Sequence, residues 1–429
     1  STAALRGIAN DVLGALDSAQ IAALTTRQVA SLSSDQIAGL STEDFTKEWK
    51  KSLRKKYWPV YAEKREPEYY ARRLTDHVRK HHYMNSKPVF SPDGERLVYY
   101  SDRGGLEGIY LMNALTGEVE KELLVGSTSG QFEYIRTMKS SLTWSPEGDR
   151  IAFVAKSDGY DRLFVMGIPG GEIVEKIDLQ LDFFFNPAWS PDGNSIALVG
   201  TVRGRTDIYV YDINRRALSR VTDDIDDEKY PSWFPDGRKI LYTRYPQNAL
   251  QPAFVTTGES ESRMENIDFG DAGNLLEVKG DIWSIDLDSG EKKLLISTTG
   301  DDESGLILAG GGEILFTSDE TGIRNLYRGS LAVGSYYRFT DILGGIFNPS
   351  FSEKGNRLVF SAFNTAGYDL FIMDDFMEKS RTSYSTGSPM LSGNDGVKWP
   401  SFGLVPVESY AANAGPAVED TMAALNRGA

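Results

Sequence analysis

The chain has 429 residues and a formal net charge of −15, with 61 acidic against 46 basic residues. A charge of this sign repels phosphate backbones and counts against nucleic acid as a partner. The chain has no cysteine and no apolar run of about eighteen residues, which excludes disulfides, thiolate zinc sites, cysteine nucleophiles and a transmembrane helix.

Residues 1–46 carry an eight-residue repeat, with copies that begin at Asp17, Thr25 and Ser33 and an incomplete copy from Ser41. Each copy opens with a residue that can cap a helix and places Ile or Val three residues before Leu. This pattern predicts short helices in series, serving as a spacer or in assembly. Comparable repeats occur in large bacterial surface and secreted proteins.

A basic and aromatic linker follows at residues 47–69. Its lysines and arginines alternate with Trp49, Tyr57 and Trp58. We interpret it first as a segment that docks onto the acidic domain of its own chain. An acidic partner or an anionic lipid surface is the alternative.

A turn motif then recurs six times between residues 85 and 380. The copies are Ser91-Pro-Asp-Gly94, Ser145-Pro-Glu-Gly148, Ser190-Pro-Asp-Gly193, Phe234-Pro-Asp-Gly237 and the degenerate Ala309-Gly-Gly-Gly312 and Ser352-Glu-Lys-Gly355. Proline presets φ and glycine accepts positive φ, so each intact copy is a tight turn between two alternating, β-rich runs. Repetition of such hairpins every 43 to 54 residues, apart from one longer gap, predicts propeller blades.

Two of the units, Asn186-Pro-Ala-Trp-Ser-Pro-Asp-Gly193 and Tyr230-Pro-Ser-Trp-Phe-Pro-Asp-Gly237, resemble the repeats of the TolB-like propeller family. The resemblance covers residues 70–385. It implies an all-β fold, a six-bladed β-propeller of four-stranded antiparallel blades. The octapeptide repeats add a small α-helical extension at the N-terminus. Residues 386–429 then form a C-terminal extension.

The segment Arg73-Leu-Thr-Asp76 repeats Arg220-Val-Thr-Asp223 and Arg338-Phe-Thr-Asp341, each of which precedes a new unit. No blade precedes the first copy. Residues 70–75 are therefore predicted to supply the outer strand of the sixth blade by pairing with Asp369–Met373, which closes the ring.

Strand parity places the Pro-Asp-Gly turns on one face and the longer, more varied loops on the other. Long loops in a compact fold are often functional, so the loop-rich face around the central channel is the predicted binding surface. Its candidate binding residues are His77, His81, His82, Tyr134, Arg136, Phe183, Phe184, Phe185, Asp226, Asp227, Glu228 and Tyr230.

Two segments on this face are weak candidates for a metal site. His77 and His81 would share one side of a helix, but a third ligand is lacking and the adjacent Arg79 and Lys80 disfavour a cation. The carboxylates of Asp223, Asp224 and Asp226 offer oxygens for calcium, the one cofactor considered. They lack the spacing of a dedicated calcium loop, so we interpret them first as solvated surface charge.

Related propellers also occur in peptidases of the prolyl oligopeptidase class, which carry a Gly-x-Ser-x-Gly elbow in a hydrolase domain and a downstream histidine. Here Gly126-Ser-Thr-Ser-Gly130 has the wrong order and no histidine follows His82. No catalytic residue is therefore predicted.

We expect a noncatalytic propeller of the bacterial periplasm, extracellular space or cell envelope that binds a protein or peptide. The start at Ser1 suggests a mature chain that has lost an export signal, or a fragment. Two alternatives stay open. One is a structural subunit of a homo-oligomer or larger envelope assembly, and the other is a metal-dependent hydrolase or lyase with a site at the channel mouth.

Overall fold

A computed structural model describes residues 64–126, 132–246, 279–308 and 310–379, together with Lys51. The chain divides into two compact units. The larger unit, Arg65–Asp268 with Asn274–Trp399, contains all the strands given below. The predicted segments 1–46 and 386–429 lie outside the described residues, as do most of 47–69 and parts of two predicted loops, 127–131 and 247–278.

Six antiparallel sheets form the blades of a propeller, and each inner strand lies beside the central channel. Blade 1 consists of β2 (Asn85–Phe90), β3 (Arg96–Ser101), β4 (Gly108–Asn113) and β5 (Val119–Val125). In blade 2, β6 (Tyr134–Ile135) and β7 (Thr143–Trp144) both pair with β8 (Arg150–Ser157), followed by β9 (Tyr160–Gly167) and β10 (Ile173–Ile177). Blade 3 consists of β11 (Phe183–Trp189), β12 (Ser195–Val202), β13 (Arg205–Asp212) and β14 (Ala217–Arg220).

The remaining blades follow the same plan. Blade 4 consists of β15 (Asp227–Trp233), β16 (Lys239–Tyr245), β17 (Asp281–Asp286) and β18 (Lys292–Ile296). Blade 5 consists of β19 (Asp302–Ile307), β20 (Glu313–Ser318), β21 (Asn325–Ser330) and β22 (Ser335–Arg338). Blade 6 consists of β23 (Ile346–Ser352), β24 (Arg357–Asn364), β25 (Gly367–Met373) and β1 (Arg72–Arg73). These blades confirm the predicted fold class.

Helical structure is slight in the described residues. It includes a 3₁₀ turn at Pro67–Tyr69, the four-residue helix α1 (His77–Lys80) and one helical turn at residues 376–379. Asp76 caps α1 by accepting the backbone N–H of Arg79 at 3.0 Å. Within this part of the chain, no helix is long and apolar enough to cross a membrane.

The Pro-Asp-Gly segments form the tight turns that the sequence predicts. In each intact copy the glycine N–H donates to the carbonyl three residues earlier, as from Gly94 to Ser91 at 2.8 Å. The four glycines have φ between 69° and 77°, a conformation that a side chain would strain. In the degenerate copy of blade 6, Asn356 takes the positive φ instead, which asparagine tolerates better than most residues.

Five inner strands carry a β-bulge at a residue of positive φ. These residues are Lys87, Asn186, Tyr230, Ser304 and Asn348, with φ between 51° and 55°. Proline follows four of them. It is tolerated there because the bulge interrupts the ladder of backbone hydrogen bonds that proline cannot complete.

Apolar and aromatic side chains fill the space between neighbouring blades. One cluster joins Phe360 and Phe371 of blade 6 to Leu315 of blade 5, and another joins Tyr100 of blade 1 to Phe153 of blade 2. All five side chains are fully buried. Burial of each apolar side chain stabilises the fold by about 1.5–3 kcal/mol, so contacts between the blades are a main source of stability.

The ring closes within blade 6. Arg72 lies opposite Ile372 and Arg73 opposite Phe371, within the segment 70–75 for which the sequence predicts this pairing. The outer strand of the sixth blade therefore comes from the N-terminal side of the first blade.

Buried Asp369 holds the closing segment in place. Its carboxylate accepts hydrogen bonds from the guanidinium of Arg73, the hydroxyl of Thr75 at 2.8 Å and the backbone N–H of His77 at 3.0 Å. It also contacts His77 Nδ1 at 2.6 Å and Asn85 Nδ2 at 3.2 Å. Burial alone would raise the pKa of Asp369, but hydrogen bonds from Arg73, His77 and Thr75 lower it.

Each of the three Arg-x-Thr-Asp segments is held to its blade by the same hydrogen bond. In each copy the threonine hydroxyl accepts a backbone N–H from the adjacent strand, so the segment fixes the exit of one blade before the next begins. These N···O distances are 2.9 Å from Leu370 to Thr75, 2.8 Å from Ile208 to Thr222 and 3.0 Å from Leu326 to Thr340.

Candidate binding face and channel

The blades give the propeller two different faces. The turn face carries the Pro-Asp-Gly turns and the turns between the third and fourth strands. The loop face carries the connections between blades and between second and third strands. Its described segments are 74–84, 102–107, 132–142, 158–159, 178–182, 203–204, 221–226, 297–301, 319–324, 339–345 and 365–366, together with the strand residues beside them.

Exposed apolar side chains concentrate on the loop face. Of the sixteen large hydrophobic side chains that are exposed in the described residues, eleven lie there. They are Val78, Tyr83, Leu106, Tyr134, Met138, Tyr160, Phe183, Val202, Ile225, Leu343 and Phe363. Single exposed hydrophobics are ordinary, but their accumulation on one face is typical of an interaction surface.

Three of the predicted binding residues come together on this face. The Arg136 guanidinium lies 4.8 Å from the centre of the Tyr134 ring and 5.9 Å from that of Phe183. It also forms an ion pair with the buried carboxylate of Asp161 at 2.8 Å. Strand β6 and the residue after it, the start of β9 and the start of β11 supply these residues.

The other two phenylalanines of the predicted trio are not surface residues. Phe184 is 1% exposed and belongs to the core between blades 2 and 3, and Phe185 packs against the core between blades 3 and 4. All three lie in one strand, where successive side chains point to opposite sides of the sheet. Only Phe183, at the strand end, is exposed.

The three predicted histidines are likewise divided between the interior and the surface. His77 is buried on Asp369, and buried His82 contacts Asn85 through Nε2 at 3.1 Å. His81 is exposed and ends helix α1 with a positive φ of 54°. The prediction that all three histidines lie on the binding surface is therefore wrong for two of them. His77 contacts Asp369, which holds the closing strand, and His82 contacts Asn85 in the first strand of blade 1.

Three carboxylates of the acidic run at residues 223–228 form ion pairs. Asp223 pairs with Arg220 at 2.7 Å, Asp224 with Lys292 at 2.7 Å, and the nearly buried Asp226 with Arg244. Asp227 begins β15 half-buried. Within the described part of the chain, no group of three or more His, Asp or Glu side chains is arranged to hold a metal ion.

Glu228 lies between blades 3 and 4 and is fully buried, so it is not a surface binding residue. Its Oε2 accepts a hydrogen bond from the Thr222 hydroxyl and one from the Ile208 backbone N–H at 3.0 Å. Burial raises its pKa to about 8. Asp302 occupies the matching place between blades 4 and 5, two residues before a bulge, and burial raises its pKa to about 7.

A cavity of about 330 Å³ runs along the central channel and is lined by the inner strands. The predicted residue Tyr230 lines it, as do Asn186, Ser304 and Asn348 at the same bulge position. The charged residue in this lining is Lys87, which was not among the predicted residues although it also precedes a proline.

The Lys87 ammonium donates to the backbone carbonyls of Met138 at 3.0 Å and Ser140 at 3.1 Å. Burial lowers the pKa of Lys87 to about 8. Below that pH the channel carries a positive charge within an otherwise neutral lining, which favours an anionic group.

Two protein-family models and several known proteins are similar to parts of this chain. The TolB beta propeller domain model (PD40) matches residues 136–277, and the ALTTAQ repeat model matches residues 7–42, where the octapeptide repeats lie. The Tol-Pal system protein TolB of Francisella tularensis is 26% identical over 248 residues, 56% of this chain and 54% of the relative. The chain thus spans about half the length of the curated relatives that it matches.

Solved structures of propellers overlap partly with the chain. The crystal structure of TolB from Acinetobacter baumannii is 16% identical, covers 68% of this chain and 54% of that chain, and has a TM-score of 0.41. Oligogalacturonate lyase from Vibrio parahaemolyticus is 13% identical, covers 70% of this chain and 92% of that chain, and has a TM-score of 0.44. The chain is thus similar to TolB beta propeller domains over residues 136–277, and its six four-stranded blades form a six-bladed β-propeller.

Proposed function

We propose that this chain is a noncatalytic binding protein of the bacterial cell envelope, in the periplasm or outside the cell, and that its loop face docks a protein or peptide. The accumulation of exposed apolar side chains on the loop face carries the proposal. The name of the matched relatives, Tol-Pal system protein TolB, supports the envelope location.

Five of the eleven exposed apolar side chains come from neighbouring parts of the loop face. Val78, Tyr83, Leu106, Met138 and Phe363 come from blade 6, blade 1 and the connection to blade 2. Aromatic and methionine side chains of this kind are enriched among the residues that dominate binding energy at protein interfaces. This cluster is therefore the proposed centre of the contact.

The channel adds an electrostatic contribution to the proposed binding. Lys87 supplies its charge, and a lysine ammonium has three N–H donors, of which Met138 and Ser140 accept two. An acidic side chain or a terminal carboxylate of the partner suits the third. The histidines support the noncatalytic part of the proposal, since His77 and His82 are engaged in buried contacts with Asp369 and Asn85.

Matched double variants on the two faces test the proposal. Tyr83 and Met138 on the loop face are 72% and 77% exposed, and Leu115 and Val333 on the turn face are 65% and 77% exposed. Replacing Tyr83 and Met138 by serine is expected to weaken capture of envelope proteins by the immobilised full chain about tenfold or more, because hot-spot side chains are lost.

The control replaces Leu115 and Val333 by serine and is expected to capture the same proteins as the unaltered chain. Quantitative mass spectrometry of the captured proteins measures both variants. Equal losses for the two variants, or no loss for the loop-face variant, would contradict the proposed surface.

A further inference from the structure

A groove of about 810 Å³ lies on the loop face where blades 2 and 3 meet, apart from the central channel. Three aromatic rings line it, those of Tyr134, Tyr160 and Phe183, which are 42%, 64% and 55% exposed. They come from three separate segments of the chain, so the fold, not a local sequence motif, brings them together.

The charges in the groove balance one another. Its lining contains three cations, Arg136, Lys156 and Arg162, and three carboxylates, Asp161, Asp178 and Asp182. In a chain with a net charge of −15, this lining is neutral. It therefore offers no electrostatic preference for a charged ligand.

The charged groups are also committed to partners within the protein. Arg136 pairs with Asp161 at 2.8 Å, Arg162 with Asp178 at 3.2 Å, and Lys156 with Glu133, outside the lining, at 3.0 Å. Asp182 accepts the backbone N–H of Arg203 at 2.7 Å. Such pairs fix the side chains while their remaining hydrogen-bonding positions stay available to a ligand.

The paired cations hold the aromatic rings. Arg136 lies over both Tyr134 and Phe183, Lys156 lies 5.8 Å from the centre of the Tyr134 ring, and Arg162 lies 5.3 Å from that of Tyr160. Cation–π contacts of this kind contribute about 0.5–1 kcal/mol each at exposed sites. The rings are thereby positioned before any ligand arrives, which lowers the entropic cost of binding.

We propose that this groove binds a neutral oligosaccharide. A sugar ring has a face of C–H groups that stacks on an aromatic ring and a rim of hydroxyls that both donate and accept hydrogen bonds. Ordered aromatic rings between guanidinium, amide and carboxylate groups match both features. The groove differs from the surface around Tyr83 and Met138 because charged and amide side chains line it beside the aromatic rings.

The test is isothermal titration of the full chain with three neutral tetrasaccharides, namely cellotetraose, maltotetraose and chitin tetrasaccharide. At least one is expected to bind, and Tyr160→Ala and Phe183→Ala are each expected to weaken that binding about tenfold or more. Both side chains are largely exposed, so the variants are expected to melt at the temperature of the unaltered chain.

Three outcomes would overturn the proposal: no binding of any of these sugars, binding that neither Tyr160→Ala nor Phe183→Ala weakens, or tighter binding of tetragalacturonate than of the neutral sugars. The last would show selection by charge. The Leu115→Ala variant on the turn face is the matched control and is expected to bind as the unaltered chain does. Capture by the Tyr83 and Met138 surface uses other side chains, so failure of one proposal leaves the other open to its own test.

Discussion

Replacing Asp369 by alanine is expected to lower the free energy of unfolding of the propeller by about 3–5 kcal/mol, since it removes one partner of a buried ion pair. Asp369 is fully buried, and Arg73, Thr75, His77 and Asn85 all contact its carboxylate. In the variant these polar groups lose their acceptor, and two of them, His77 and Asn85, are buried away from water. Denaturant unfolding followed by circular dichroism measures the loss.

Asp207→Ala is the matched control because Asp207 is the third residue of β13 in blade 3, as Asp369 is of β25 in blade 6. Asp207 pairs with Arg220 at 2.7 Å, but blade 3 is joined to blade 4 by the continuous chain and needs no closing strand. Its loss is expected to cost less. If the two variants lost the same stability, the special role of Asp369 in closing the ring would be refuted.

Glu228→Gln is expected to make the propeller less sensitive to alkaline pH. Burial raises the pKa of Glu228 from 4.5 to about 8, so the folded state binds this proton more tightly than the unfolded state does. The resulting stabilisation is complete below the unfolded pKa and is lost as pH rises through 8. Between pH 5 and pH 9 the unaltered chain should therefore lose on the order of 3 kcal/mol relative to the glutamine variant.

Unfolding free energies of both chains, measured at several pH values, check this expectation. Asp224 and Lys292 are the charged groups that act on Glu228. Both are present in both chains, so their effects on stability cancel in the comparison. Exposed Glu147 provides the control, because Glu147→Gln should leave the pH dependence unchanged. A constant difference between the Glu228→Gln and unaltered chains at all pH values would contradict the assigned pKa.

The fold was predictable from the sequence because its signals are local and repeated. Pro-Asp-Gly turns act through the conformations of three adjacent residues, and six copies in register predict six blades. The position of the closing strand was also visible, since Arg73-Leu-Thr-Asp76 repeats a segment found elsewhere before a blade. The contacts by which Asp369 holds that strand were not predicted, because Arg73 and Asp369 lie almost 300 residues apart in the sequence.

The binding residues were harder to predict because exposure is a tertiary property. Phe183, Phe184 and Phe185 are adjacent and chemically identical, yet the strand sends them to the surface and to two different cores. Glu228 looks like a surface charge in the acidic run but is sealed between two blades. Tyr160 and Arg162 were not singled out because they lie in a short, ordinary hairpin whose neighbours are distant in sequence.

Site-specific photocrosslinking in bacterial cells shows directly whether the loop face binds the partner. A photoreactive phenylalanine analogue is placed in turn at positions 83 and 138 of the loop face and at positions 115 and 333 of the turn face. If the loop face binds the partner, one protein is expected to be cross-linked from the first two positions and not from the other two. Cross-links from the turn face alone, or equally from both faces, would contradict it.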